Sequence, residues 1–174
     1  MKKKKDAPTM KEFMEYASPI IRDEKFKQLK KYIHHSKHTI YRHAISVAYI
    51  AYKIGKRKKN IDLKSLIKVA LLHDYYLYDW HNKDHKRPHG FTHPKTAMLN
   101  AARDFGLTKL EMKAIRSHMW PLTLFHIPTS RIAWIICIAD KLSAHYEYSI
   151  DRMIKKSKKI KDKLLKKSRL KYEK

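Results

Sequence analysis

Val69-Ala70-Leu71-Leu72-His73-Asp74-Tyr75 is the stretch on which the reading of this chain turns. Four apolar residues run directly into a histidine and an aspartate, and a buried element has no inexpensive place for an imidazole beside a carboxylate unless something compensates both. A metal ion does so. Neighbouring side chains on a regular helix point about 100° apart, so for both groups to reach one ion the helix must end or distort here. The aromatic, poorly periodic Tyr75-Tyr76-Leu77-Tyr78-Asp79-Trp80 that follows is consistent with such an ending. The dipeptide alone is weak evidence, because 12 His and 10 Asp in 174 residues produce about one His-Asp pair by chance.

Two other places repeat the anomaly. Asp140 stands at the inner end of the apolar run Ile132 to Ala139; by itself it reads equally well as a ligand or as a buried carboxylate that meets a cation or caps a helix. His43 begins a helix whose apolar residues Ile45, Val47, Ala48, Ile50, Ala51 and Ile54 recur at three and four positions. Three helices thus each offer a metal-type ligand, in the order His, His-Asp, Asp. That joint pattern is far more specific than any of its parts.

Outward from these anchors the sequence predicts one all-α domain. Only 3 Gly and 6 Pro, with few alternating β-branched runs, argue against a sheet-rich fold. Residues 1 to 10 read as a disordered basic leader, Lys11 to Tyr16 as a polar amphipathic helix broken at Pro19, and Lys25 to Tyr32 as a second helix. The polar stretch from His34 leads into the His43 helix, with Thr39 as its cap and Gly55 as its stop. Asp62 caps a helix over Leu63 to Asp74. Residues 81 to 94 form a His-rich loop; Thr92 or His93 opens the next helix with Pro94 in its first position, and Gly106 ends it. Thr108-Lys109-Leu110-Glu111 is a capping-box pattern that starts a helix through His118. Ile132 to Ala139, apolar on every side, reads as central, and residues 150 to 174 as a basic amphipathic tail helix beyond a bundle over 11 to 149.

No run is long enough to cross a bilayer and no apolar segment follows the N-terminal charges, so a soluble cytoplasmic protein is expected. The single Cys137, which cannot form an intrachain disulfide, fits that expectation. Charge is the other extreme: 41 Lys plus Arg against 16 Asp plus Glu gives +25. Eleven Lys or Arg against two acids crowd the last twenty residues. Such a chain attracts polyanions non-specifically whatever its role, but no aromatic ladder interleaves the basic runs as a single-strand stacking platform needs.

YRHAISVA around His43, ALLHD at His73 and Asp74, and IADK at Asp140 together resemble the HD-domain metal-dependent phosphohydrolases, over roughly Tyr32 to Glu147. The resemblance implies a helical bundle with a metal held by His43, His73, Asp74 and Asp140. GFTHPKTA at His93 and AIRSHMWPL at His118 resemble the branch of the family that adds two histidines and a second ion, with Asp74 bridging both. HDYYLYDWH and HMWPL also resemble a small bacterial group of HD proteins, in which a histidine commonly stands at the position of His35; the chain departs from that pattern at Ser36, where a glycine is expected. Under this resemblance the cofactor is one or two divalent transition metals, with Fe, Mn, Zn and Co equally suited to the ligands. Asp74, Lys95 and Lys141 become candidates for the chemistry, the lysines as phosphate contacts. His35, Asp79, His81 and His89 become candidates for substrate contact or for orienting the ligands. Residues His34, His38 and His126 read as exposed polar side chains, and His145 as facing either the cleft or the surface.

The expected activity is hydrolysis of a nucleotide or other small phosphate ester. The competing expectation is a helical module without turnover that holds nucleic acid or another polyanion through its charge.

Overall fold

The computed structural model describes residues 7–35, 38–82 and 88–172, with side chains described up to residue 158 except at residue 35. The chain divides into two compact units, Met1–Ser143 and Ala144–Lys174. The basic leader expected at the start lies largely outside the described residues.

Helices dominate, as the composition requires. In chain order they are α1 (Met10–Ile21), α2 (Glu24–Lys27), α3 (Ile40–Lys56), α4 (Leu63–Leu72), α5 (His89–Phe105), α6 (Lys109–Ser117) and α7 (Arg131–Tyr172). A 3-10 turn over Gln28–Lys31 follows α2, and a short antiparallel hairpin pairs β1 (Ile33–His35) with β2 (His38–Thr39). Local chemistry sets several boundaries. Thr39 Oγ1 accepts the amide of Arg42 at the start of α3. Asp62 Oδ1 accepts those of Lys64 and Ser65 at the start of α4. Thr108 and Glu111 complete a reciprocal capping box on α6.

The first unit is built around the α3–α4 pair. Ala44, Val47, Ala48 and Ala51 of α3 meet Leu66, Ile67, Ala70 and Leu71 of α4 in one buried core. Small residues on α3 let the two backbones approach. Gly55, expected as a helix stop, is instead helical and takes this logic furthest: a Cβ there would collide with the Leu66 Cδ2 methyl and lie 3.2 Å from Leu63 Cδ2. Gly55→Ala is therefore expected to destabilise the protein by about 1–3 kcal/mol, overpacking outweighing a helix-propensity gain of about 1 kcal/mol. Urea denaturation checks this; a stabilised variant would show that the helices can separate without cost.

Elsewhere tertiary contacts override local signals. Pro19 lies inside α1, which continues to Ile21, because only the last turn follows it and the helix is held by Phe13 and Ala17 in the core and by Glu12, which accepts from Tyr52 Oη and Lys56 Nζ. The second expected helix shrinks to α2 and the 3-10 turn: Phe26 and Leu29 are its only buried anchors, and Tyr32 must turn so that its carbonyl accepts the Ile40 amide across the hairpin. Helix α5 starts at His89, a turn earlier than Thr92 or His93, and contains Pro94. Gly90 permits this start, since a Cβ there would sit 3.0 Å from Leu122 Cδ2. The apolar run on α7 is not enclosed on every side: Trp134 and Ile138, one turn apart, are 40% and 47% exposed, whereas Ile135, Ile136 and Ala139 are buried.

In the second unit the helix carries exposed Tyr148, Met153 and Ile154, and Ser149 Oγ donates to the His145 carbonyl. Among the described residues no helix is long and apolar enough to cross a membrane.

Candidate metal centre

Helix α4 ends where the chemistry requires. Leu72 is its last residue, His73 is the C-cap, and Asp74 lies in the following turn. The turn is drawn tight, with the Tyr76 amide on the Asp74 carbonyl at 2.8 Å and Leu77 in the left-handed region at φ 58°, a conformation uncommon for a bulky side chain. Asn100 Nδ2 on α5 donates to the carbonyls of Tyr75 and Tyr76, fixing the turn against its neighbour. His73 and Asp74 leave the helix end in different directions and still reach one cluster.

The structure brings all six proposed ligands together. His43, His73, His93 and His118 are buried, as is Asp74, and the Asp140 side chain is 13% exposed. On one side His43 Nε2 lies 3.2 Å from Asp140 Oδ1 and 3.9 Å from Asp74 Oδ2, while His73 Nε2 lies 3.6 Å from each of those oxygens. On the other side Asp74 Oδ1 lies 3.3 Å from His93 Nε2 and 3.5 Å from His118 Nε2. Bonds of about 2.0–2.2 Å to a common ion put adjacent ligand atoms roughly 3.0–3.6 Å apart. Asp74 thus presents one carboxylate oxygen to each pair of histidines.

Ring orientation shows what the cluster is built to hold. Nδ1 of His73, His93 and His118 faces the carbonyls of Ala70, His89 and Ile115 at 2.7, 2.9 and 2.7 Å. A carbonyl only accepts, so each Nδ1 carries a proton, and in the neutral form that binds a metal each ring turns its Nε2 lone pair inward. His93 Nε2 and His118 Nε2 then face each other at 2.9 Å, two lone pairs at contact distance, which calls for a cation between them. His73 Nε2 and Asp74 Oδ1 are buried without a hydrogen-bond partner. Such a donor set, all imidazole nitrogen and carboxylate oxygen with outer-shell carbonyls orienting the rings, fits a divalent transition metal.

Electrostatics agree. Burial alone would raise the Asp74 carboxyl, but the His73 charge and the His34 and His93 rings that face its two oxygens outweigh it and hold the group well below the usual carboxylate range. Asp140 behaves alike: burial opposes ionisation, and the hydrogen bond with His43 together with the charge of the His73 ring, 3.6 Å away, overcomes it. Burial disfavours the His73 cation, yet Asp74 and Asp140 together raise its pKa. His118 is pushed down to about 3 by burial and by the charges of His93 and His73. A histidine depressed in the folded state stabilises fully above its unfolded value of about 6.5 and loses that contribution as pH falls. The raised His73 works the other way, its contribution complete below about 6.5 and lost as pH rises through its folded value. Chelator-treated protein is therefore expected to be most stable near neutrality and to weaken between pH 6.5 and 4. His118→Gln should flatten that acid limb in thermal melts at pH 7.5 and 4.5; an unchanged slope would assign the limb to other groups.

His34, expected at the surface, is the residue that sequence reasoning missed. Its ring stacks on His43 at 3.8 Å, and its Nε2 lies 3.3 Å from Asp74 Oδ2. Trp80 Nε1 donates to the His34 carbonyl and so ties β1 to the turn after Asp74. No helical pattern could have announced it, because a hairpin delivers it. His35 is the neighbouring β1 residue and its side chain lies outside the described set.

The remaining candidates are arranged around this centre or apart from it. His89 shares Nδ1 with Tyr78 Oη at 2.9 Å, stacks between Trp80 and His93, and lends its carbonyl to His93. Of the expected His-rich loop, His85 lies outside the described residues, and His89 and His93 stand on α5. Asp79 and His81 are exposed and pair with each other, the Asp79 carboxylate meeting the His81 ring and amide at 3.0 Å. Lys95 is exposed. Lys141 Nζ donates to the carbonyls of His118 and Cys137, so its ammonium braces the turn that carries His118. His38 and His126 are half-buried rather than fully exposed.

The sequence model for the HD domain matches residues 40–145, a span that contains all six clustered residues. No curated protein and no solved structure matches the chain. With the family pattern covering more than half of its length and its defining His and Asp side chains converging in one buried cluster, the chain belongs to the HD-domain family.

Proposed function

We propose that this protein is a metal-dependent phosphohydrolase acting on a small phosphate ester, with a nucleotide as the leading substrate class. The observation that carries the proposal is the division of Asp74 between two sets of histidines, Oδ2 toward His43 and His73 and Oδ1 toward His93 and His118. In this reading His43, His73, Asp140 and Asp74 Oδ2 hold one ion, and His93, His118 and Asp74 Oδ1 hold a second. Divalent metal bound there supplies Lewis acidity and lowers the pKa of water toward neutrality.

The chain's own contributions are positional. The carbonyls of Ala70, His89 and Ile115 lock three rings with Nε2 inward, and His34 holds the outer oxygen of Asp74. Tyr76 and the core residues around α4 keep bulk water from the back of the cluster. Lys95 is exposed on α5 one turn beyond Phe91 and two residues beyond His93, so it points away from the cluster and is a weaker candidate for the substrate phosphate than its place in the sequence suggests.

Purified protein is expected to contain at least one transition metal per chain and to hydrolyse some member of a panel of phosphomonoesters and phosphodiesters under Mn, Fe, Co or Zn. Absence of metal at stoichiometric level together with no hydrolysis under any of the four overturns the proposal.

The +25 charge favours a second reading, a module that holds polyanions without turnover. Nucleic-acid affinity that falls steeply with salt and survives loss of the histidines marks that activity as charge-driven. Truncation after Ser149 separates the two: it should abolish such binding and leave hydrolysis intact.

A further inference from the structure

Two residues before each histidine of the proposed second half-site, on α5 and α6, stand Phe91 and Arg116. Residues two apart on a helix point roughly 200° from one another, so both face away from the metal cluster. They meet the segment after His118 around a separate cavity of about 290 Å³, walled by Phe91, Leu122, Leu124 and Phe125 with Arg116 and Thr123. Its walls are mostly apolar, His126 also lines it, and among the described residues no acid does.

The cavity carries a positive charge on half-buried Arg116, one nitrogen of which is shielded from solvent. Arg116 Nη1 is buried without a hydrogen-bond partner, as is Thr123 Oγ1. A guanidinium carries five donors in a planar fork suited to a carboxylate or phosphate, and leaving one of its nitrogens dry and unpaired costs stability that an anion would recover. The apolar side is equally unfinished: Phe125 is 97% exposed, Leu124 66% and Phe91 50%. A bare inorganic anion would leave these walls wet, and a neutral hydrocarbon would leave the guanidinium unpaired.

We infer that this cavity is a binding site, separate from the metal centre, for a small amphiphile that carries a carboxylate or phosphate on an aromatic or aliphatic body, its anionic group on Arg116 and Thr123 and its body against Phe91, Leu124 and Phe125. Leu124 and Phe125 are the most exposed of the walls and would be covered by the ligand's body. Occupancy would cross-link the first turn of α5 to the end of α6, the two elements that carry His93 and His118, and so give the ligand a mechanical route to that half of the metal cluster.

Calorimetric titration of the metal-loaded full chain with 4-phenylbutanoate, 4-phenylbutanamide and acetate tests the site. Saturable one-to-one binding of 4-phenylbutanoate is expected, with the amide and acetate each at least tenfold weaker. Arg116→Met should weaken 4-phenylbutanoate at least tenfold and raise the thermal midpoint, because it removes a buried nitrogen that has no partner; a merely structural arginine would lower the midpoint when lost. Leu124→Asp, at an exposed position that folding does not need, offers Arg116 a carboxylate in cis and should give a similar loss of binding. Equal affinity for acid and amide, no saturable binding, or affinity unchanged in both variants would overturn the inference. So would binding lost on chelation but not in Arg116→Met, which assigns the ligand to the metals.

Discussion

Asp74→Ala is expected to leave the protein with less than about a tenth of its bound metal, since each removed inner ligand weakens a site at least as much as the 10–100-fold cost of losing an outer partner. Among the described residues Asp74 is the one carboxylate that faces both histidine pairs, at 3.6 and 3.9 Å through Oδ2 and at 3.3 and 3.5 Å through Oδ1. Without it, His93 and His118 lose the carboxylate that faces them, while His43 and His73 keep Asp140. Hydrolysis of whichever phosphate ester the panel identifies should fall on the order of 10³-fold, equivalent to about 4 kcal/mol of lost transition-state stabilisation. Asp74→Asn separates folding from function: it keeps the shape and the hydrogen bond from His34, removes the charge, and should fold while losing metal. Elemental analysis of the two purified variants, with circular dichroism as the control for folding, is the measurement. Full metal occupancy in a folded Asp74→Asn protein would place the ions elsewhere and sink the proposed centre.

The second large effect concerns the number of ions. His118→Ala removes a nitrogen from one side of Asp74 and leaves His43, His73, Asp140 and Asp74 Oδ2 in place; His43→Ala does the reverse. Two independent half-sites predict that each variant keeps about half of the wild-type metal, the surviving set still offering at least three ligands, and that the double variant keeps almost none. A single ion centred on His43, His73 and Asp140 predicts otherwise: His43→Ala loses nearly all and His118→Ala nearly none. Hydrolysis adds a second axis. If both ions are needed for an in-line displacement, each single variant should fall on the order of 10²-fold or more even though half the metal remains. Activity retained in His118→Ala would assign the chemistry to the first set alone.

His34 illustrates why part of the site was illegible in the linear chain. Its immediate neighbours, His35 and the masking polarity of Ser36-Lys37-His38, look like a solvated loop, and no spacing rule links a hairpin residue to a helix end forty positions later. The contact depends on a two-stranded pairing whose register, Ile33 with Thr39, is set by packing rather than by a strong turn signal. Arg116 was hidden for the opposite reason. It sits on a polar helix face where an arginine is ordinary, and only the fold of the 119–128 segment over it leaves one of its nitrogens dry. At the start of α5 the local signal and the structure diverge: Pro94 marks a first helical turn, whereas the close packing of Gly90 on Leu122 lets the helix begin at His89.

What the sequence by itself determined is the helical class, the caps at Thr39, Asp62 and Thr108, and the position of His43, His73-Asp74 and Asp140 at the ends or faces of apolar helices. Those follow from interactions within a few residues: side-chain to backbone capping, helical periodicity, and the cost of burying a polar group on an apolar run. The tertiary structure alone decided that the histidines turn Nε2 inward, that Asp74 divides its two oxygens between them, and that His34 joins the cluster while Asp79 and His81 pair at the surface. These are questions of distance and direction between elements far apart in the chain, and side-chain direction is set by the packing of α3, α4, α5 and α7 around the turn that ends at Asp74.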